Sequence, residues 1–260
     1  MALVPGATIR TLDGGVCAAW SDASRGDLRP ADSHTADSHT HDQAADAEPL
    51  TRLAAELGRA TDTRIDQVAW ATQIHGPGVV EVGRRSGGPD PAIVCRHLGE
   101  YDALVSASPG SALCVLTADC APIALASPEG VCAAVHAGWR GLVAGVVATA
   151  VDAMRRLGAT DVTAALGPCI HAPCYEFSPA DLDMAASALG PGVRSTTTDG
   201  RPALDLVAGV GSAVATAGAR LVAGHDACTA CGSGQFSHRA RADVGRQALL
   251  VWSTAPGGGS

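Results

Sequence analysis

The chain has 260 residues, 47% hydrophobic but only 3% aromatic, so a sizeable core has to be built from Ala, Val and Leu. Its 18 basic and 26 acidic residues give a formal net charge of −8 with no basic stripe, which argues against nucleic acid or an anionic membrane as partner. Met1–Arg10 is not a basic start leading into an apolar run, and no stretch nears the roughly 18 uninterrupted apolar residues of a membrane span, so a cytoplasmic location is expected.

In chain order, residues 1–20 read as a strand region. Residues 21–49 are polar and carry a tandem copy, Ala31-Asp32-Ser33-His34-Thr35 followed by Ala36-Asp37-Ser38-His39-Thr40. No helix or strand period runs through them, which predicts a mobile surface loop whose His34, His39 and His41 are solvated. Leu50–Leu57 predicts an amphipathic helix closed by Gly58. Ile65–Thr72 and Val79–Val82 predict strands around the turn His75-Gly76-Pro77-Gly78. Ala103–Ser106, Leu113–Thr117, Pro122–Ala126, Val131–Val135 and Val162–Leu166 are further strands, with one helix over Leu142–Leu157 ended by Gly158. Helices follow at Ala180–Ala188 and Leu206–Gly218, and Gln247–Trp252 is the last strand. Strands and helices are mixed rather than strictly alternating, which predicts an α+β (mixed α/β) class: one domain of mixed sheets flanked by helices. Residues 50–252 form its core together with 1–20, and 253–260 form a disordered tail.

Nine cysteines, an odd number, argue against a disulfide framework. Most are expected to be reduced and buried. Cys120 stands out. Ser127-Pro128-Glu129-Gly130 is a turn signal between two apolar runs. An antiparallel hairpin with Ser127–Glu129 as its loop pairs Ala126 with Gly130 and carries Cys120 opposite His136, about 5 Å apart at Cβ. His75 projects from the tip of its Gly/Pro turn. Two imidazoles and a thiol make a three-ligand zinc set that leaves a fourth position open, as in catalytic zinc sites. Arg140, in Gly138-Trp139-Arg140-Gly141, offers a fork to phosphate, and Phe236-Ser237-His238-Arg239 with Gly245-Arg246 is rich in anion-binding groups. Cys169, Cys174, Cys228 and Cys231 could form a second, structural zinc site, on the strength of one CxxC and a wider pair.

The run from Asp102-Ala103-Leu104-Val105 through Thr117-Ala118-Asp119-Cys120-Ala121-Pro122 and His136-Ala137-Gly138-Trp139-Arg140-Gly141 closely resembles the YfiH-like family, also called the laccase-domain, multicopper polyphenol oxidase or purine nucleoside phosphorylase family. Gln73-Ile74-His75-Gly76, Gly167-Pro168-Cys169-Ile170, Cys174-Tyr175-Glu176, Leu204-Asp205-Leu206, Cys228-Thr229 and Phe236-Ser237-His238-Arg239 match in the same order, so the resemblance spans roughly Leu50 to Trp252. It implies the YfiH-like fold and zinc held by His75, Cys120 and His136. It also implies phosphorolysis of adenosine, inosine, guanosine and methylthioadenosine, with adenosine deamination as a side activity. Arg52 resembles the family's arginine at the start of its first long helix, although Thr51 stands where asparagine is usual. With Arg140, His238 and Arg239 it is expected to bind substrate or phosphate. The family's upstream arginine and Gly-Gly-Val-Ser segment is only faintly echoed at Trp20–Asp27.

Two other activities carry over from the same resemblance. One is copper-dependent phenol oxidation, disfavoured because blue-copper chemistry wants an axial ligand such as Met and the three Met, at positions 1, 154 and 184, lie away from the motifs. The other is peptidoglycan editing, the hydrolysis of a cytoplasmic muramyl–amino-acid precursor. A non-enzymatic zinc module is disfavoured by the scarcity of aromatic anchors. The expected partners are purine nucleoside and phosphate, with the chain a monomer or weak homodimer.

Overall fold

A computed structural model describes residues 3–30, 47–84, 92–224 and 227–254. The strands are β1 (Ala7–Thr11), β2 (Val16–Ser21), β3 (Gln67–Thr72), β4 (Val79–Glu81), β5 (Val94–Glu100), β6 (Ala103–Ser106), β7 (Ser111–Thr117), β8 (Ala121–Ala126), β9 (Cys132–Ala137), β10 (Thr163–Leu166), β11 (Arg194–Thr196), β12 (Pro202–Leu204), β13 (Arg220–Ala223) and β14 (Gln247–Ser253). The helices are α1 (Glu48–Thr61), α2 (Trp139–Val143), α3 (Val146–Arg156), α4 (Pro179–Leu189), α5 (Leu206–Thr216) and α6 (His238–Arg241). His34, His39 and His41 lie outside the described residues, as does the tail from position 255.

Two six-stranded sheets dominate, in the orders β1-β2-β14-β7-β3-β5 and β13-β10-β8-β9-β6-β4; β11 and β12 form a separate pair. Both large sheets are mixed. β14 is antiparallel to β2 and β7, whereas β3 runs parallel to β7 and β5. The mixed α/β class is therefore the observed one.

β14 shows how the layers are made. Successive side chains of a strand point to opposite faces. Leu249 and Val251 join a core shared with Ala124, Ala134 and Leu104 of the second sheet. Leu250 and Trp252 face the other way, into a core with Leu50, Leu53 and Leu57 of α1. Because both faces are buried, β14 reads as an unbroken apolar run rather than an alternating one. The second sheet's far face carries Val105, Ile123 and Val135 against Val147, Val151 and Met154 of α3 and Leu206 and Val210 of α5. The result is helix, sheet, sheet, helix. The space between the sheets is filled largely by small residues, as the aromatic-poor composition demands. Where a large ring does enter, the facing residue must give way: a Cβ on Gly167 would lie 2.0 Å from the Trp20 ring.

Two helix boundaries differ from expectation. α1 runs through Gly58 and ends at Asp62, which takes the left-handed conformation (φ 51°). Gly58 is small for packing, not for capping: a Cβ there would meet the Thr63 carbonyl oxygen at 2.7 Å. The single helix expected over Leu142–Leu157 is two, because Gly145 adopts φ 87° between α2 and α3, a conformation that β-branched or bulky residues resist.

Candidate active site

The chain passes from the first sheet to the second three times at one end of the sandwich, between β3 and β4, between β5 and β6 and between β7 and β8. β5 and β7 both run parallel to β3, their shared neighbour, so all three crossings leave from the same end. The first carries His75, the second Asp102 and the third Cys120. β9, whose His136 faces Pro122 at the start of β8, ends beside them. The structure thus brings His75, Cys120 and His136 together: one ligand atom from each lies within 4.8 Å of the others. Cys120 Sγ is 3.7 Å from His75 Nε2, and the two imidazole rings meet edge to face with centroids 4.8 Å apart.

The hairpin register is shifted by two residues from the expected one. Ala126 pairs with Cys132, not Gly130, because the turn takes in Ser127–Val131, closed by Ser127 N–H donating to the Val131 carbonyl. A shift of two preserves the side-chain face where a shift of one would invert it. The expected proximity of Cys120 and His136 therefore holds, although they are not directly opposed.

The residue that organises this cluster is Asp102, to which no role was assigned from sequence. It is fully buried, just before β6. Its carboxylate accepts from His136 Nδ1 at 2.8 Å and from the backbone N–H groups of His75 (2.9 Å), Gly76 (2.7 Å) and Ile74 (3.3 Å). A carboxylate acceptor makes Nδ1 the protonated nitrogen and leaves Nε2 available as a ligand. The same bonds hold the Ile74–Gly76 turn, in which His75 takes φ 60°, an uncommon conformation for a side-chain-bearing residue. Burial acts to raise the Asp102 carboxyl, but His136 and the backbone donors outweigh it and hold it below the usual range. Burial likewise acts to raise the Cys120 thiol, and the imidazoles of His136 and His75 overcome it, so Cys120 is a thiolate more readily than an ordinary cysteine. His136 moves the other way: burial opposes its charge, while the Cys120 thiolate and Asp102 together raise it.

The cluster opens into a cavity of about 420 Å³, within the range of small-molecule sites. Its wall also carries Arg29, Arg246, His238 and Arg239, and Tyr175 and Trp70 add rings. A second buried carboxylate, Asp119, organises that wall. It takes φ 94°, accepts from Thr229 Oγ1 at 2.6 Å and receives the backbone N–H of Arg239 at 2.7 Å. The Arg239 guanidinium lies over the Tyr175 ring at 5.0 Å and donates to the Glu176 carbonyl. Arg29 is paired with Asp27, which also accepts from the Arg246 backbone N–H.

His238 and Arg239 thus line the cavity as their motif suggested. Arg52 and Arg140 do not. Arg52 is exposed on α1 and paired with Glu48 one turn away. Arg140 is exposed on α2 with its guanidinium 4.5 Å from the Trp139 ring centroid. Motif order along the chain locates α1 and α2, but which way their arginines face is set by tertiary packing. The four-cysteine set also contracts to three: Cys174, Cys228 and Cys231 converge, while Cys169 is buried with its thiol outside that group.

Residues 22–254 match the family described as multi-copper polyphenol oxidoreductase laccase. A purine nucleoside phosphorylase of Mycobacterium tuberculosis is 39% identical over 214 residues, covering 81% of this chain and 80% of that protein. Another from Streptomyces coelicolor is 41% identical over 189 residues, covering 72% and 75%. Among solved structures, a Neisseria meningitidis protein aligns with a TM-score of 0.72 at 24% identity, covering 96% of this chain and all of that one. The YfiH protein of Bacillus licheniformis aligns with a TM-score of 0.70 at 21% identity, covering 94% and 98%. These two show a shared fold. The family match and the relatives at 39% and 41% identity establish that the chain belongs to the multi-copper polyphenol oxidoreductase laccase family, whose fold it shares with YfiH.

Proposed function

We propose that this protein is a zinc-dependent purine nucleoside phosphorylase, converting adenosine, inosine, guanosine or methylthioadenosine and phosphate to free base and ribose 1-phosphate, with adenosine deamination as a side activity. One observation carries the reading. A two-imidazole, one-thiol cluster and a wall of three arginines and a histidine face a single nucleoside-sized cavity. The relatives named purine nucleoside phosphorylase support it.

The donor set fits zinc. His75, Cys120 and His136 would hold the ion, two nitrogens and a thiolate being borderline-soft ligands with one position left free. It also resembles the His₂Cys set of blue copper, but that chemistry uses a weak axial ligand such as methionine. Met154 is fully buried among the helices, and Met184 is exposed on α4; neither lines the cavity. The ion would supply Lewis acidity toward charge that develops in the reaction.

The chain's own residues do the positioning. Arg239, Arg246 and His238 neutralise and orient phosphate, so that an oxygen can attack the ribose C1′ as the C1′–N bond breaks. The electron pair of that bond leaves with the base, which takes up a proton. Asp102 keeps the His136 imidazole oriented with its proton on Nδ1. None of the nine cysteines is paired in a disulfide, in keeping with a reducing, cytoplasmic compartment. Among the described residues no helix is long and apolar enough to cross a membrane.

The deciding experiment follows base release from the four nucleosides, with and without phosphate, beside metal analysis of the purified protein. Phosphate-dependent release with zinc bound is the expected result. Oxygen uptake with a phenol and bound copper, or turnover of a muramyl–amino-acid precursor without nucleoside phosphorolysis, would overturn the assignment.

A further inference from the structure

A second group of metal-ligating side chains converges away from the cavity. The thiols of Cys174, Cys228 and Cys231 lie within 4.8 Å of one another. Two stretches distant in sequence supply them. Cys174 closes the short 3-10 turn Ala172–Cys174, and Cys228-Thr229-Ala230-Cys231 has the two-residue spacing of a zinc knuckle. A bridge between Cys169 and Cys228 aligns the two stretches, and Thr229 N–H donates to the Cys169 carbonyl at 3.0 Å. The His171 backbone N–H points at Cys228 Sγ from 3.3 Å, the kind of outer contact that supports a metal-bound thiolate. Cys231 is exposed and the other two are half-buried, so an ion has a route in.

We propose that Cys174, Cys228 and Cys231 form a second, structural zinc site, its fourth position filled from solvent. As each Zn–S bond forms, the thiol proton passes to solvent, so three protons leave and no oxidant or reductant is needed. Two thiolates on one tetrahedral zinc sit about 3.8 Å apart, given Zn–S bonds of about 2.3 Å. Cys174 Sγ and Cys231 Sγ stand at 3.1 Å, so a sub-ångström opening admits the ion. A disulfide would employ two of these thiols and strand the third.

The position explains what the ion would do. Tyr175 follows Cys174 and walls the cavity. Thr229 follows Cys228 and bonds to Asp119, which in turn holds the Arg239 backbone. Arg241 adds bonds to the carbonyls of Thr229, Ala230 and Gly232. A zinc ion here would clamp the two stretches that back the arginine wall, without contacting substrate.

The test is zinc stoichiometry on the full chain, purified with reductant, loaded with zinc ion and dialysed. Wild type should hold two zinc per chain. Cys231→Ser and Cys174→Ser should each hold one, His136→Ala one, and the His136→Ala/Cys231→Ser double variant none. If the cavity does not bind metal, His136→Ala leaves the count unchanged while the cysteine variants still lower it, so the two readings fail separately. Cobalt titration of wild type gives an independent measure: the thiolate-to-cobalt band should rise in two stages, the stronger lost in Cys231→Ser. A zinc count and cobalt spectrum unchanged in both cysteine variants would overturn the site. So would the loss of two titratable thiols to a Cys174–Cys231 disulfide in zinc-loaded protein.

Discussion

Replacing Gly138 by alanine should strip the cavity of its metal while leaving the fold in place. Gly138 follows β9 and caps α2 with φ −71° and ψ 162°, angles any residue accepts, so the backbone does not demand glycine. The space does. A Cβ there would lie 2.6 Å from His75 Cδ2, 3.1 Å from Cys120 Sγ and 3.4 Å from His75 Nε2. Carbon contacts settle near about 3.5–4.0 Å, so the imidazole must retreat by about 1 Å. Swinging it off its rotamer costs about 0.5–1.5 kcal/mol, which the folded protein can absorb. Metal coordination cannot, because bond lengths tolerate only about 0.2 Å. Zinc affinity, read by competition with a chromophoric chelator, should fall by about 10–100-fold. The urea midpoint of the metal-free protein should move by less than about 1.5 kcal/mol equivalent. An alanine variant that binds zinc within twofold of wild type would show that His75 and Cys120 do not share an ion. One that unfolds outright would show that the contact falls on rigid structure.

Gly167→Ala drives a Cβ into the Trp20 ring between the sheets, and should cost about 1–3 kcal/mol in urea denaturation without altering metal content. Arg239→Ala removes a guanidinium from the cavity but keeps the backbone bond to Asp119, so the KM for phosphate should rise by about 10–100-fold, with the nucleoside KM far less affected. Glu129 is exposed, yet Thr160 donates to its carboxylate and holds it down to about 2. A lowered folded-state value stabilises the fold above the ordinary carboxylate range, and that contribution disappears as pH falls through about 2. Glu129→Gln should therefore remove part of the acid sensitivity seen in melting curves between pH about 4.5 and about 2. Asp102→Ala should cost about 3 kcal/mol in denaturant, because it strands the buried donor on His136 and takes the acceptor from the Ile74–Gly76 N–H groups, whereas His75→Ala should spare stability and lose only metal.

The sequence made the cluster visible in proportion to how local its contacts are. Cys120 and His136 are joined by a single turn, so a hairpin argument found them near each other, on the correct face even with the register two residues out. His75 belongs to a different crossing and was singled out by its Gly/Pro turn and by resemblance, not by periodicity. Asp102 sits in front of an apolar strand, where its carboxylate looks like a strand-edge residue until a turn 26 positions upstream folds its N–H groups around it. Arg29 lies in a polar stretch read as mobile loop, yet it lines the cavity; the legible signal was only the absence of periodicity. Gly145 carried information that was overridden, since the apolar pattern continues across it and a break there costs that pattern nothing.

Asp102 and Asp119 show where the specificity of the site is stored. Burying a carboxylate costs several kcal/mol unless donors surround it. Asp102 meets that cost with three backbone N–H groups and an imidazole, and Asp119 does so with a threonine hydroxyl and a backbone N–H. In both cases a donor is the backbone of a residue whose side chain faces the cavity: His75 for one, Arg239 for the other. Each acid fixes the position of a Cα from which a functional group projects: the His75 imidazole lies beside Cys120, and the Arg239 guanidinium lies over Tyr175 and also donates to the Glu176 carbonyl. Had His75 been held instead through its imidazole, its ring nitrogens would be spent within the protein. A metal ligand and an anion-binding group of the cavity are therefore positioned by one device used twice, a buried carboxylate that grips the main chain of a residue whose side chain faces the cavity.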